Sequence, residues 1–212
     1  MLDLFDDFGA EHRLAEGAMR FRGLALPHQD DVLAAVEAVS RAAPFRNMVT
    51  PGGFTMSVAM TNCGDWGWVT DRSGYRYTRT DPDTDRPWPA MPPGFLRLAA
   101  EAAERAGYGG FIPDACLINR YEPGAKMSPH QDRDETDFAQ PIVSVSLGLP
   151  AVFLFGGARR TDKARRIPLD HGDVVVWGGP SRLFFHGVNP LAEGTHPLLG
   201  RRRINLTFRR AR

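Results

Sequence analysis

The sequence has few of the features that mark secreted, zinc-binding or membrane-spanning chains. Its only two cysteines, Cys63 and Cys116, have no metal-ligand spacing, so we expect reduced thiols rather than disulfides or a zinc site. No apolar run approaches the roughly 18–20 residues that span a bilayer. The first seven residues carry acids where a signal peptide carries Lys or Arg. These absences together predict a cytoplasmic protein.

The chain also lacks a strong excess of charge of either sign. Its formal net charge is +1, so overall charge does not predict a nucleic-acid-binding protein, and any such binding must come from local patches. Hydrophobic residues (42%) and charged residues (24%) are present in ordinary proportions, which favours a globular chain with a substantial core. A length of 212 residues fits one domain with an elaboration.

Two helices and many short strands are predicted from hydrophobic periodicity. Helical spacing predicts helices over about 30–42 and 93–106, and alternation predicts a strand over 54–61. Residues 62–92 are rich in aromatic residues but have the composition of a loop. Further strands are predicted at 115–121, 142–149, 151–155, 173–177, 183–188 and 203–209. A series of short strands without intervening helices favours an antiparallel sandwich or jelly roll.

The motif His-x-Asp occurs three times, and its context distinguishes the copies. Non-haem Fe(II) sites use two imidazoles and one carboxylate on one face of the metal, and residues i and i+2 of an extended segment point the same way. Asp30 in His28-Gln29-Asp30 is better interpreted as a helix cap, and His171-Gly172-Asp173 as a turn before an apolar strand. Neither role suits His130 and Asp132 as well, so we predict that these two residues bind the metal.

Two later strands offer a third ligand and an anion site. His186 lies in an apolar strand, where it is either the second imidazole of the site or a hydrogen-bonded core histidine. In strand 203–209, alternation places Arg203, Asn205, Thr207 and Arg209 on one face. If that face lines a barrel interior, the two arginines need an anionic partner, and a dicarboxylate such as 2-oxoglutarate would supply one. The alternative is an Arg-rich solvated tail.

Several segments of the chain carry a resemblance to a known family. They are Met48–Gly53, Thr55–Gly64, Asp114–Tyr121, His130–Asp132, Pro141–Pro150, His171–Gly179, His186 and Arg203–Arg209. Together they resemble the AlkB family of alkylated-nucleic-acid repair dioxygenases, from about residue 44 to 209 and more loosely from residue 1. The resemblance implies an α+β, mainly β fold. A double-stranded β-helix (jelly roll) core with supporting helices would occupy 91–212, and an N-terminal extension with a nucleotide-recognition lid would occupy 1–90.

The same resemblance implies the cofactors and the residues of the site. Fe(II) would be bound by the catalytic residues His130, Asp132 and His186, with O2 as the oxidant. The co-substrate 2-oxoglutarate would be held by Asn119, Tyr121, Arg203, Asn205 and Arg209. Substrate contacts would come from Trp68, Tyr75, Arg76, Tyr77, Asp134 and Arg160. The chain departs from the family pattern at Phe54, where a tyrosine is usual, and at Trp66, which adds a second indole near the lid.

The implied reaction is oxidative demethylation of alkylated bases, of the N1-methyladenine and N3-methylcytosine type. The substrate would be single-stranded DNA and also RNA, the protein would act as a monomer, and the products would be formaldehyde, succinate and CO2. Trp68 would stack on an extruded base and Asp134 would favour a cationic one. The alternatives are lid packing for Trp68 and an ordinary surface acid for Asp134.

One basic segment has two interpretations, and two rival functions stay open. Residues 159–166 hold five cations, and they form either a phosphate-contacting loop or a solvated hairpin tip. The first rival function is a 2-oxoglutarate oxygenase that hydroxylates a protein side chain or a small metabolite. The second is a jelly-roll binding module without catalytic activity.

Overall fold

Short antiparallel strands make up most of the regular secondary structure in the computed structural model, which describes residues 9–212. The strands are β1 (Glu11–Ala15), β2 (Ala18–Phe21), β3 (Arg46–Val49), β4 (Thr55–Gly64), β5 (Gly67–Asp71), β6 (Gly74–Thr78), β7 (Thr80–Asp81), β8 (Arg86–Pro87), β9 (Ala115–Tyr121), β10 (Met127–His130), β11 (Ile142–Gly148), β12 (Ala151–Phe155), β13 (Arg165–Leu169), β14 (Val174–Trp177), β15 (His186–Val188) and β16 (Arg203–Arg209). The helices are α1 (Gln29–Ala42) and α2 (Pro93–Arg105), with 3-10 turns at Leu26–His28 and Gly179–Ser181. The acidic first seven residues, from which the absence of a signal peptide was predicted, lie outside the described residues.

Two sheets and two helices build the core in layers. The large sheet has the order β1-β2-β14-β11-β16-β9-β4-β3, and the small sheet has the order β10-β15-β12-β13. Alternation along the large sheet turns Leu117 and Trp177 towards Phe153 of the small sheet. It turns Ile118 and Phe208 towards the apolar faces of the two helices. This arrangement confirms the predicted jelly roll with supporting helices.

Strands from both sides of residue 90 belong to the same large sheet. β2 pairs with β14, and β4 pairs with β9, all antiparallel. β16 lies between β11 and β9, at the centre of the sheet. The sheet is therefore not divided at residue 90, and a separate lid unit within residues 1–90 stays a prediction.

The interpretation of residues 62–92 as loop-like was wrong. β5 and β6 form a regular hairpin in which Trp68 pairs with Tyr77 and Thr70 pairs with Tyr75. The turn is closed by Asp71, whose carboxylate accepts the backbone N–H of Ser73 at 2.8 Å. The three aromatic side chains share one face of this hairpin with Thr70, and the other face mixes Val69 with Arg76. Neither face is uniformly apolar, so the apolar/polar alternation that identifies a half-buried strand is absent.

The helices begin and end close to the predicted residues, with one difference in capping. The residue that caps α1 is His28, not Asp30, and its side chain makes no capping hydrogen bond. Asp30 lies instead in the first turn, where its charge favours the helix dipole. α2 begins at Pro93 and is followed by Gly107, whose φ of 86° suits a helix terminus. Among residues 9–212, no helix is long and apolar enough to cross a membrane.

Candidate functional site

Two histidines on paired strands and one aspartate form a tight cluster. His130, the last residue of β10, pairs with His186, the first residue of β15, and their ring centroids are 4.5 Å apart. Asp132 follows two residues after β10. One potential ligand atom from each of the three side chains lies within 4.8 Å of the others. The structure therefore brings together the three residues that were predicted to bind the metal.

Backbone carbonyl groups orient both imidazoles. His130 Nδ1 lies 2.9 Å from the carbonyl oxygen of Ser128, and His186 Nδ1 lies 3.0 Å from that of Phe184. Because a carbonyl oxygen only accepts, Nδ1 of each ring carries the proton and Nε2 is left with its lone pair. The Nε2 atoms lie 3.5 Å and 3.8 Å from the carboxylate oxygens of Asp132. Two imidazole nitrogens and one carboxylate are the donor set that Fe(II) oxygenases use.

Neighbouring charges keep the cluster in the protonation state that a metal requires. Burial alone would raise the pKa of the Asp132 carboxyl, but the charge of Arg209 holds it well below its usual value. Arg209 donates from Nε and Nη2 to Asp132 Oδ2, at 2.8 Å and 2.6 Å. Burial, together with the proximity of His130, lowers the pKa of His186 to about 4. At neutral pH, Asp132 is therefore ionised and His186 is neutral, as ligation demands.

A buried network connects Asp132 to the β5–β6 hairpin. Glu135 accepts a hydrogen bond from the Tyr77 hydroxyl at 2.5 Å and another from Arg182 Nη2 at 3.1 Å. Arg182 Nη1 donates to the carbonyl oxygen of Asp132 at 2.8 Å. Arg209 Nε lies 3.5 Å from the Glu135 carboxylate. The hairpin, the metal-binding segment and β16 are thus held by one set of buried charges.

The polar face of β16 lines the interior of the barrel, which excludes the solvated-tail alternative. Arg203 is 1% exposed, and its Nη2 donates to Ser146 Oγ at 2.9 Å. Its guanidinium lies 4.9 Å from the centroid of the Tyr121 ring. Its Nε and Nη1 have no partner among the described residues, and burial lowers the pKa of this arginine. Unpaired guanidinium donors beside the metal cluster fit a carboxylate of a small dianion such as 2-oxoglutarate.

The other residues predicted to hold the co-substrate line the same pocket. The pairing of β9 with β16 places Asn119 opposite Asn205 and Tyr121 opposite Arg203. Asn205 Nδ2 already donates to Ser144 Oγ and to a backbone carbonyl, at 2.8 Å and 3.0 Å. Arg209 is bound to Asp132. Contacts of these side chains with 2-oxoglutarate stay predictions.

Comparison with known proteins gives a consistent result. The family described as the 2OG-Fe(II) oxygenase superfamily matches residues 18–209. The chain is 59% identical to the alpha-ketoglutarate-dependent dioxygenase AlkB of Salmonella typhimurium and 58% identical to that of Escherichia coli. Each match covers 100% of this chain and 98% of the relative. The chain belongs to the AlkB family of 2OG-Fe(II) oxygenases.

A solved structure shares the fold of this AlkB-family chain. The structure of OsALKBH1 aligns with a TM-score of 0.83 and 29% sequence identity, covering 94% of this chain and 99% of that one. The protein is an Fe(II)- and 2-oxoglutarate-dependent dioxygenase, as the sequence predicted, and its co-substrates are 2-oxoglutarate and O2.

Three of the predicted substrate residues of this AlkB-family enzyme, Trp68, Tyr75 and Asp134, are joined by direct contacts. Trp68 and Tyr75 are stacked diagonally across the β5–β6 hairpin, with ring centroids 5.7 Å apart and an interplanar angle of 18°. Trp68 Nε1 donates to Asp134 Oδ2 at 2.8 Å. Asp134 is two residues beyond Asp132, so a hydrogen bond ties the indole to the metal-binding segment.

The side chains of the remaining predicted substrate residues contact other residues of the protein. Tyr77 is buried, hydrogen-bonded to Glu135, and burial raises its pKa well above the usual value. Arg76 alternates to the other face of the hairpin and pairs with Asp71 at 2.6 Å. Arg160 Nη1 donates to the carbonyl oxygen of Pro129 at 2.8 Å, and its guanidinium lies over Phe185. Substrate contacts by these three residues stay predictions.

The structure differs from the sequence-based interpretation of one basic segment and shows two buried residues that were not predicted. The basic segment 159–166 is not a single loop, because Arg165 and Arg166 begin β13. Glu135 and Arg182 were not singled out, although both are almost fully buried. Glu135 stands in the charged run that follows Asp132, which is typical of a solvated surface. No spacing in the sequence distinguishes it from its neighbours.

Proposed function

We propose that this dioxygenase repairs alkylated nucleic acids by oxidative demethylation. Its preferred lesions would be N1-methyladenine and N3-methylcytosine in single-stranded DNA, with RNA as a further substrate, and it would act as a monomer. One observation carries the proposal: Trp68, which is stacked on Tyr75, donates a hydrogen bond to the carboxylate of Asp134, two residues beyond Asp132.

An aromatic surface at this position suits a base that has left its stack. A base in a duplex cannot reach a buried metal, so it must be extruded or already single-stranded. Stacking on an aromatic side chain contributes roughly 1–3 kcal/mol per base. Because Trp68 donates to Asp134, the carboxylate is held at the edge of the stacking surface.

The carboxylate supports a preference for cationic bases. N1-methyladenine and N3-methylcytosine carry a positive charge that their unmodified counterparts lack. An ionised carboxylate attracts such a base, and this attraction is stronger in a partly buried site than in bulk water. Asp134 is half-buried, which limits the screening of its charge.

The protein would contribute binding and orientation, and the bound groups would contribute the oxidation. Iron and 2-oxoglutarate, when bound, supply the chemistry that converts an N-methyl group and O2 to formaldehyde, with succinate and CO2 as the other products. His130, Asp132 and His186 would hold the iron. Arg203 would hold a carboxylate of the co-substrate, and Arg209 keeps Asp132 ionised.

Mass spectrometry of a defined oligonucleotide tests the proposal. A single-stranded oligonucleotide with one N1-methyladenine is incubated with Fe(II), 2-oxoglutarate and air. The wild type should remove about 14 Da, the mass of one CH2 group, and His130→Ala should leave the oligonucleotide unchanged. Succinate production without loss of mass would move the substrate to a protein side chain or small metabolite. If no succinate forms and no mass is lost, the assignment of the metal ligands is contradicted.

A further inference from the structure

A tryptophan at the open end of the β5–β6 hairpin lies under two arginine side chains. Trp66 immediately precedes β5, and Arg79 immediately follows β6. The guanidinium of Arg79 is 4.6 Å from the centroid of the Trp66 indole, and that of Arg212 is 5.4 Å from it. One indole therefore orders two cations, one from the hairpin and one from the segment after β16.

Neither cation is neutralised by an acidic side chain within the described part of the chain. Arg79 is exposed, and its contact with Trp66 is the one interaction that it makes there. Arg212 donates from Nη1 to the carbonyl oxygens of Asp134 and Ala211, at 3.0 Å and 2.7 Å, and neither acceptor is charged. The exposed Asp65, although next to Trp66 in sequence, pairs with neither arginine. Within residues 9–212, the one carboxylate that contacts Arg212 is that of Asp114, which accepts its backbone N–H and not its guanidinium. Both guanidinium groups therefore keep N–H donors for an anion.

This cationic site adjoins the surface proposed to stack the base. Arg212 is hydrogen-bonded to the backbone of Asp134, and the carboxylate of the same residue accepts the indole N–H of Trp68. Arg212 also lies over Tyr77, which pairs with Trp68 across the hairpin. A strand whose base stacks on Trp68 would therefore carry its neighbouring phosphates past Arg212 and Arg79.

We propose that Trp66, Arg79 and Arg212 form a docking surface for the sugar-phosphate backbone of a single-stranded nucleic acid, on one flank of the extruded base. The proposal rests on the proposed function and names a contact outside the base pocket. Guanidinium groups bind phosphate oxygens bidentately, and stacking on an indole leaves their N–H edges available. Such contacts position a strand without reading its sequence.

The salt dependence of binding to unmodified single-stranded DNA tests the docking surface. Fluorescence anisotropy of a labelled oligonucleotide gives the dissociation constant between about 50 and 200 mM salt. Each phosphate contact to a single strand contributes roughly 0.7 to the slope of log K against log salt concentration. We expect Arg79→Gln and Arg212→Gln each to reduce the slope by about this amount, and the double variant by about twice as much.

Matched variants separate the loss of a specific contact from a general loss of charge. Arg97→Gln removes another exposed cation, from α2 on the helical side of the large sheet, and should keep the wild-type slope. Trp66→Leu keeps both cations but removes the ring that orders them, so it should weaken binding with little change in slope. Circular dichroism melting curves confirm that each variant folds.

Two outcomes would overturn the docking surface. The first is a wild-type slope in the double variant. The second is binding of a poly-glutamate peptide with the same affinity and the same loss in the variants, which would make the site a general polyanion surface. The assay requires no turnover, so its failure is distinct from that of the proposed function, which the oligonucleotide mass measurement tests on the wild type alone.

Discussion

Replacing Arg203 with methionine removes a buried cation whose Nε and Nη1 lack partners among the described residues. A buried polar group without a hydrogen bond costs about 1–3 kcal/mol, and a charged group costs more. The contact with the Tyr121 ring offsets up to about 2 kcal/mol of this cost, and the hydrogen bond from Arg203 Nη2 to Ser146 Oγ offsets roughly 1 kcal/mol more. Methionine fills the space of the aliphatic stem without a charge. We therefore expect Arg203→Met to raise the free energy of unfolding of the ligand-free protein by between about 0 and 2 kcal/mol.

The same substitution should abolish stabilisation by 2-oxoglutarate. A ligand at a hundred times its dissociation constant stabilises the folded state by about 2.7 kcal/mol. For a chain of this size, each kcal/mol shifts the melting temperature by about 2–4 °C. The wild type should therefore melt about 5–11 °C higher with 2-oxoglutarate, and Arg203→Met should show no shift at the same concentration.

Thermal unfolding followed by circular dichroism, with Fe(II) and without oxygen, measures both effects on one sample. The matched control is Arg202→Met, because Arg202 is the exposed neighbour and its side chain donates to the backbone carbonyl of Leu199. This control should keep the wild-type shift. The reasoning would be refuted if the free energy of unfolding of ligand-free Arg203→Met fell by about 3 kcal/mol while 2-oxoglutarate still raised its melting temperature. Arg203 would then be a structural residue.

Three further substitutions test other buried groups. Asp173→Asn should lower the free energy of unfolding in urea by about 3–5 kcal/mol, because it leaves the buried guanidinium of Arg20 with only the more distant carboxylate of Asp170, at 4.0 Å; loss of iron with unchanged stability would contradict this. Burial, and then the charge of His196, lowers the pKa of His171 below the 6.5 of an unfolded chain. Stability in urea should therefore fall as the pH drops below about 6.5, and less steeply in His171→Gln; identical slopes would argue against it. Glu135→Gln removes the anion shared by two buried arginines, so it should lower the melting temperature. A melting temperature equal to that of the wild type would contradict the buried network.

The sequence predicted the parts of the fold that depend on local periodicity. The strand 203–209 was predicted to the residue because its polar and apolar positions alternate. The strand 115–121 was also predicted to the residue, because the turn Glu122-Pro123-Gly124 follows its apolar run. β10 was missed, because its four residues include Pro129 and none is fully buried. The pairing of β2 with β14 joins residues from the two ends of the chain, and no local pattern encodes it.

Of the three clustered side chains, His130 and Asp132 were predictable from their context, because the other two His-x-Asp motifs lie at a helix start and in a turn. His186 was assigned only through the family resemblance. Asp173 of the last motif is bound by Arg20, which is 153 residues away in sequence. The spacing of residues in the sequence does not predict this partner, but the local sequence did predict the turn that contains Asp173. The role of Glu135 could not be predicted, since its burial depends on Arg182 and Tyr77 from distant segments.

The central position of β16 has a consequence for how the chain is made. Ribosomes add about 5–20 residues per second from the N-terminus, so β9 and β11 emerge well before the strand that joins them. Until residues 203–209 appear, each of these two strands has an unpaired edge, and such edges invite aggregation. Arg203 and Arg209 arrive with the same strand. A nascent chain therefore gains its complete sheet and its anion-binding arginines within the same second or two of synthesis.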